Sequence, residues 1–125
     1  MQKYFSVEEA NALLPQLTRL LEKMLAARQH IIETRKAWEP IMEKAGHNGG
    51  GGAAGTELYK DTERIHLTLE QINGWGILIK DVDTGLVDFP HKRDEREVYL
   101  CWRLGEPKVA YWHDTDSGFS GRQPL

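Results

Sequence analysis

Hydrophobic residues in the first third of the chain recur every three or four positions, which is the spacing of one face of an α-helix. The stripe comprises Leu14, Leu17, Leu21, Met24, Ile31, Trp38 and Met42. Ser6 and Glu9 have the three-residue spacing of a capping box, so we expect the helix to begin near residue 6. Pro15 removes one backbone donor, and we therefore expect a kink or a break that leaves 6–14 as a short separate helix.

A second helical stripe follows a segment that is rich in glycine. Positions 46–55 contain half of the 12 glycines, a composition that favours a flexible connector over a helix or a strand. Thr56 is a candidate N-cap for the second helix, and Asn73-Gly74 is a typical helix stop. The sequence therefore predicts two helices, at about 6–45 and 56–73, joined by this loop.

After Trp75 the spacing of hydrophobic positions falls to about two, which is typical of β-strands. Glycine, proline and charged residues divide this region into four strand candidates, at 77–80, 86–89, 96–102 and 108–112. Pro90 ends the second candidate, and 91–95 is predicted to be a charged loop. The region of about 76–113 is thus predicted to form a small antiparallel β-meander, followed by a C-terminal loop at 114–125.

Together the two patterns predict one domain, residues 1–125, with an α+β fold: a long, coiled-coil-like helical hairpin followed by the β-meander. As a helix, residues 16–44 would span about 43 Å, whereas a compact chain of this length has a radius of gyration of about 14 Å. The surplus length exposes part of the apolar stripe, and we expect it to pair with a second copy. A homodimer through the helices is therefore predicted, and a homodimeric scaffold is one alternative function.

Composition and charge exclude several classes of protein. The net charge is −3, so the basic excess typical of proteins that bind nucleic acid or anionic membranes is absent. No apolar run approaches the roughly 18 residues of a membrane span, and the N-terminus lacks the apolar core of a signal peptide. The single cysteine, Cys101, excludes an internal disulfide and a site built from several cysteines. We expect a cytoplasmic protein that binds neither nucleic acid nor a membrane.

Period-two alternation places several reactive side chains on one face of the predicted sheet. Tyr99, Cys101 and Arg103 share one face of their strand. His113 lies on the corresponding face of the last strand, and Asp88 can reach both from the hairpin. We expect this face to carry the function.

Three kinds of chemistry fit these residue types. His113 with the carboxylates of Asp114 and Asp116 is a common ligand set for zinc, manganese or iron. Alternatively, Arg103 or Arg122 binds a small anion, because a guanidinium group pairs bidentately with carboxylate or phosphate.

The third chemistry is nucleophilic catalysis. A cysteine, a histidine and an aspartate, here Cys101, His113 and Asp88, have the composition of a nucleophilic site. A lone cysteine in a strand is more often a small apolar filler. We therefore expect a non-catalytic binding module with a metal-ion or small-anion site on the sheet, and an enzyme that uses Cys101 and His113 is a second alternative.

Four segments together form a family pattern: 5–15, 85–90, 98–106 and 112–119. They resemble domain-of-unknown-function family 2203, whose members are small bacterial proteins. The resemblance implies a bacterial, cytoplasmic protein, and it transfers no activity and no catalytic residues. It also implies that the surface formed by the motifs consists of Asp88, Cys101, Arg103, Glu106 and His113.

Overall fold

The computed structural model describes residues 3–45 and 53–125, and they form two helices followed by an antiparallel sheet. The helices are α1 (Val7–Ala45) and α2 (Ala53–Gly74). The strands are β1 (Leu78–Asp81), β2 (Leu86–Arg93), β3 (Arg96–Arg103), β4 (Tyr111–Asp114) and β5 (Gln123–Pro124), with a short 3₁₀ helix (Phe119–Gly121) before β5. The five strands lie in chain order, so the predicted α+β fold with a β-meander is confirmed.

Helix α1 begins at the predicted capping box. The hydroxyl of Ser6 accepts a hydrogen bond from the Glu9 backbone N–H at 3.0 Å, and the Glu9 carboxylate accepts one from the Ser6 N–H at 3.0 Å. The break predicted at Pro15 is wrong, because α1 continues through Pro15 and Pro40 to its end. Pro15 lies on the exposed side of α1, whereas Leu14 on the other side is buried in the core. The buried residues that precede and follow the proline in sequence, Leu14 and Leu17, anchor the helix to the core despite one missing backbone bond.

The hydrophobic core lies between α1 and one face of the sheet. From α1 the stripe of Leu17, Leu21 and Met24 is fully buried, and from the sheet Leu100 and Trp102 are buried against it. Farther along α1 the stripe emerges from the core, and Ile41 is 59% exposed. The helical hairpin therefore extends beyond the part of the molecule that the sheet covers.

Helix α2 packs antiparallel to α1 and begins earlier than predicted. Its first residue is Ala53, so 53–55, which were predicted to belong to the loop, form the start of α2. The rest of that loop, 46–52, lies outside the described residues. His30 of α1 is hydrogen-bonded through Nδ1 to the buried Asp61 carboxylate, which joins the two helices.

The strands differ from the prediction in the region around Pro90. Strand β2 continues past Pro90 to Arg93, and its turn to β3 consists of Asp94 and Glu95, with φ of 51° and 64°. Pro90 is tolerated because β1 pairs with β2 only as far as Asp88, so the missing N–H breaks no ladder bond to β1. The Pro90 carbonyl instead accepts a hydrogen bond of 2.7 Å from the backbone N–H of Phe5.

The end of the chain also carries more structure than predicted. Strand β4 begins at Tyr111 rather than near 108, because the Val109 N–H donates to the Asn11 side chain of α1 at 2.8 Å. The predicted C-terminal loop contains the 3₁₀ helix and β5, which pairs with β4. None of the described helices is long and apolar enough to cross a membrane.

Candidate metal centre

The register of three neighbouring strands brings Asp88, Cys101 and His113 together. Asp88 of β2 lies opposite Cys101 of β3, and His113 of β4 lies opposite Tyr99, two residues before Cys101. All three side chains therefore project from the face of the sheet that α1 does not cover. One ligand atom from each, a carboxylate oxygen, the sulfur and an imidazole nitrogen, lies within 4.8 Å of the other two. We call these three residues the buried cluster.

The buried cluster is almost completely shielded from water. Asp88 and Cys101 are each 1% exposed and His113 is 2% exposed. The ring of Tyr99 lies 5.6 Å from that of His113, and it covers one side of the cluster. Polar groups at such depth are stable only when they are hydrogen-bonded or bound to an ion.

The hydrogen bonds of His113 define the state of its ring. Nδ1 lies 2.8 Å from the backbone oxygen of Asp114, and since a carbonyl can only accept, Nδ1 carries a proton. Nε2 lies 3.0 Å from Oδ1 of Asp88. In the neutral ring Nε2 is therefore the atom with the free lone pair, and it points at the carboxylate. This is the orientation that metal-binding histidines commonly take, with the other nitrogen fixed by a carbonyl group.

Burial raises the pKa of the Cys101 thiol to about 11, and the negative charge of Asp88 and a hydrogen bond to it act in the same direction. The positive charge of Arg122 opposes these effects without outweighing them. Cys101 is therefore a thiol at neutral pH, and its sulfur is inaccessible to a substrate. Both properties disfavour the alternative in which Cys101 is the nucleophile of an enzyme.

Arg122 closes the cluster from the C-terminal side. Its guanidinium group stacks on the rings of Tyr111 at 4.1 Å and Phe119 at 4.5 Å. Nη2 donates to the backbone oxygen of Cys101 at 3.2 Å and to the Glu106 carboxylate at 2.6 Å. Burial acts to raise the pKa of Glu106, but the hydrogen bond from Arg122 and one from a backbone N–H outweigh it, so that the pKa is lowered. Glu106 is thus the counter-ion of Arg122.

The structure separates the two acidic residues predicted as metal ligands from His113. The Asp114 side chain forms an ion pair of 3.1 Å with Arg96, because neighbouring residues of a strand point to opposite faces. Asp114 contributes only its carbonyl group, which orients the ring of His113. Asp116 lies in an exposed turn and is not part of the cluster. The carboxylate beside His113 belongs instead to Asp88, which was predicted to bind a ligand without being assigned to the metal.

The two predicted anion-binding arginines have different surroundings. Arg122 is largely buried and paired with Glu106. Arg103 is exposed, and its guanidinium group lies 5.1 Å from the ring of Phe119. Phe119 was missed in the sequence because the C-terminal segment was predicted to be a loop. Its position after Gly118, with no alternating pattern around it, offered no signal of a stacking role.

Comparison with known proteins gives a family and no characterised relative. No curated protein and no solved structure is significantly similar to the chain. The family described as "Uncharacterized conserved protein (DUF2203)" matches residues 3–125, which is nearly the whole chain. The family predicted from the sequence motifs is therefore confirmed, and the chain belongs to the DUF2203 family of uncharacterised conserved proteins.

Proposed function

We propose that the protein binds a divalent transition-metal ion through Asp88, Cys101 and His113. The observation that carries the proposal is the convergence of three different donor atoms within 4.8 Å in an almost completely buried site. In a tetrahedral site with metal–ligand bonds of about 2.0–2.3 Å, ligand atoms are about 3.3–3.6 Å apart. The 3.0 Å between His113 Nε2 and Asp88 Oδ1 is close to this spacing, so small side-chain movements are enough to admit the ion.

The charge balance of the buried cluster also supports a divalent ion. Without metal, Cys101 is a neutral thiol and the hydrogen bond between His113 Nε2 and Asp88 Oδ1 contains one hydrogen, so the net charge of the cluster is zero. With a divalent ion, the thiolate and the carboxylate supply two negative charges and the imidazole is neutral, so the sum is again zero. The ion therefore enters without leaving an uncompensated charge in a medium of low polarity.

The donor set favours zinc or iron over manganese, because thiolate is a soft ligand that manganese binds poorly. Three protein ligands leave one position open to water or to a small molecule. The small-anion alternative has less support, since Arg122 is already neutralised by Glu106. A cytoplasmic location fits the proposal because the single thiol stays reduced there.

The test is metal analysis of protein purified without a histidine tag. We expect one ion per chain in wild type and none in Cys101→Ser or Asp88→Asn. Cobalt loading gives a sharper readout, because the chain has a single cysteine and any sulfur-to-cobalt absorption band must come from Cys101. Asp116→Asn is the matched control. Asp116 is an acidic residue three positions after His113 that lies outside the buried cluster, so its replacement should leave metal binding unchanged. Failure of wild type to bind zinc, iron or cobalt would exclude the proposal.

The helical hairpin supports a second candidate function, a homodimeric scaffold. Its surface exposes large hydrophobic side chains, with Ile41 at 59%, Tyr59 at 68% and Leu67 at 54%. We propose that these side chains meet their counterparts on a second copy of the chain. Light scattering should then give the mass of a dimer at micromolar concentration, and Tyr59→Glu with Leu67→Glu should give that of a monomer. A monomeric wild type would exclude this candidate.

A further inference from the structure

The guanidinium group of Arg122 is held in a fixed plane beside Cys101. Tyr111 and Phe119 stack on it at 4.1 Å and 4.5 Å, so it cannot rotate without losing two ring contacts. Its Nη2 atom bridges the Cys101 carbonyl and the Glu106 carboxylate. A planar group fixed by two rings and two acceptors presents its remaining N–H donors in defined directions.

One of those donors has no acceptor. Arg122 Nε is the one buried side-chain nitrogen or oxygen without a hydrogen-bond partner in the part of the chain that the structure describes. Such an atom calls for an explanation, because buried N–H groups are nearly always paired. In a guanidinium group the Nε–H and the nearer hydrogen of Nη2 lie on the same edge, the edge used in bidentate recognition.

Cys101 is a residue that the guanidinium group already contacts, because Nη2 of Arg122 donates to its backbone oxygen at 3.2 Å. The positive charge of Arg122 also acts to lower the pKa of the Cys101 thiol, so the charge and the sulfur are close enough to interact. A neutral thiol is a weak acceptor, whereas a thiolate is a strong one. The donor thus lies beside a sulfur that becomes a full acceptor only when it loses its proton to a metal ion.

We propose that Arg122 is a positioning residue of the metal centre and that its Nε–H donates a hydrogen bond to the metal-bound thiolate of Cys101. The inference rests on the proposed function, because it requires a metal at the buried cluster. Hydrogen bonds to a ligand atom fix its direction and moderate the charge that it gives to the metal.

The chain offers a matched pair of arginines for the test. Arg103 and Arg122 both lie against Phe119, but Arg103 is exposed and donates no side-chain bond to Cys101. In the cobalt-loaded protein we expect Arg122→Gln to weaken binding about 10- to 100-fold, the usual loss for an outer-shell partner. It should also move the sulfur-to-cobalt band to longer wavelength, because the sulfur electrons are less stabilised. Arg103→Gln should change neither.

The conservative variant Arg122→Lys separates electrostatics from the hydrogen bond. It keeps the charge and loses the planar donor edge, so the band should shift as in Arg122→Gln while the melting temperature stays closer to that of wild type. A purely structural Arg122 would lower the affinity and leave the band unmoved. An unchanged band in both variants would therefore overturn the inference.

A measurement on wild type covers the case in which these variants do not fold. The ¹⁵N–¹H signal of Arg122 Nε should move downfield and exchange more slowly with water when zinc is added. If zinc binds and this signal does not respond, the inference about Arg122 fails while the proposed function stands. If no metal binds to wild type, the proposed function itself fails, and the two results are distinct.

Discussion

Binding of a divalent ion to the buried cluster should release the proton of the Cys101 thiol near neutral pH. The thiol pKa of about 11 keeps this proton in place at pH 7 in the metal-free protein. Because the thiolate and not the thiol is the metal ligand, the proton has to leave when the ion binds.

The magnitude follows from linkage between binding and protonation. Each released proton makes the apparent affinity rise about tenfold per pH unit, which is about 1.4 kcal/mol. The Cys101 proton alone therefore gives a rise of about tenfold for each unit between pH 6 and 8. Because the thiol pKa lies far above this range, the contribution of Cys101 does not level off within it. The sign is therefore tighter binding as the pH rises.

Isothermal titration with zinc in buffers of different ionisation enthalpy measures the number of protons directly. Wild type should release at least one proton per ion at pH 7 after correction for zinc–buffer binding. Cys101→Ala, which lacks the thiol, should show neither zinc binding nor proton release and is the matched control. Zinc binding to wild type without proton release would refute the assignment of Cys101 as a protonated thiol in the metal-free protein.

Three further predictions concern the stability of the fold. Glu95→Gly should raise the free energy of unfolding by about 0.5–1 kcal/mol in urea, because a φ of 64° is strained for a residue with a side chain and relaxed for glycine. A loss of stability would contradict the turn geometry. Asp61 raises the pKa of His30 through a hydrogen bond and its negative charge. The ion pair therefore stabilises the folded state below about pH 6.5, and this contribution is lost as the pH rises through the raised pKa of His30. His30→Gln should accordingly destabilise more at pH 6 than at pH 9, and equal losses at both would exclude the ion pair. Phe89→Ala should cost about 3–5 kcal/mol in thermal unfolding, because the ring is fully buried and contacts that of Phe5 edge to face at 5.4 Å; a cost below 1 kcal/mol would contradict this packing.

The helices and the face of the sheet that carries the buried cluster could be predicted because their signals are local. The capping box at Ser6 depends on residues three positions apart, and the face that Cys101 shares with Tyr99 depends on neighbours two positions apart. Such patterns are fixed by the backbone geometry of a single element. The structure confirms the fold class and, with it, the orientation of these side chains.

The residues proposed as metal ligands could not be predicted in full because their proximity depends on strand register. The register that sets Asp88 opposite Cys101 continues past Pro90 to Arg93, although the sequence indicates an end to the strand at Pro90. At that point the Pro90 carbonyl accepts a hydrogen bond from the Phe5 N–H, a contact between residues 85 positions apart in sequence. His113 was paired with acidic residues near it in sequence, whereas its real neighbour lies two strands away.

The position of the buried cluster is itself an argument for function. The core needs only the helix-facing side of the sheet, and on that side the buried side chains of β2 and β3 are apolar, as Phe89 and Leu100 are. On the opposite side, which α1 does not cover, Asp88 and His113 are nevertheless as deeply buried as the core. Burying a carboxylate and an imidazole contributes less to stability than burying apolar groups of the same volume. The guanidinium group of Arg122, which covers the cluster, therefore contributes more to holding the three donor atoms in place than to the stability of the fold.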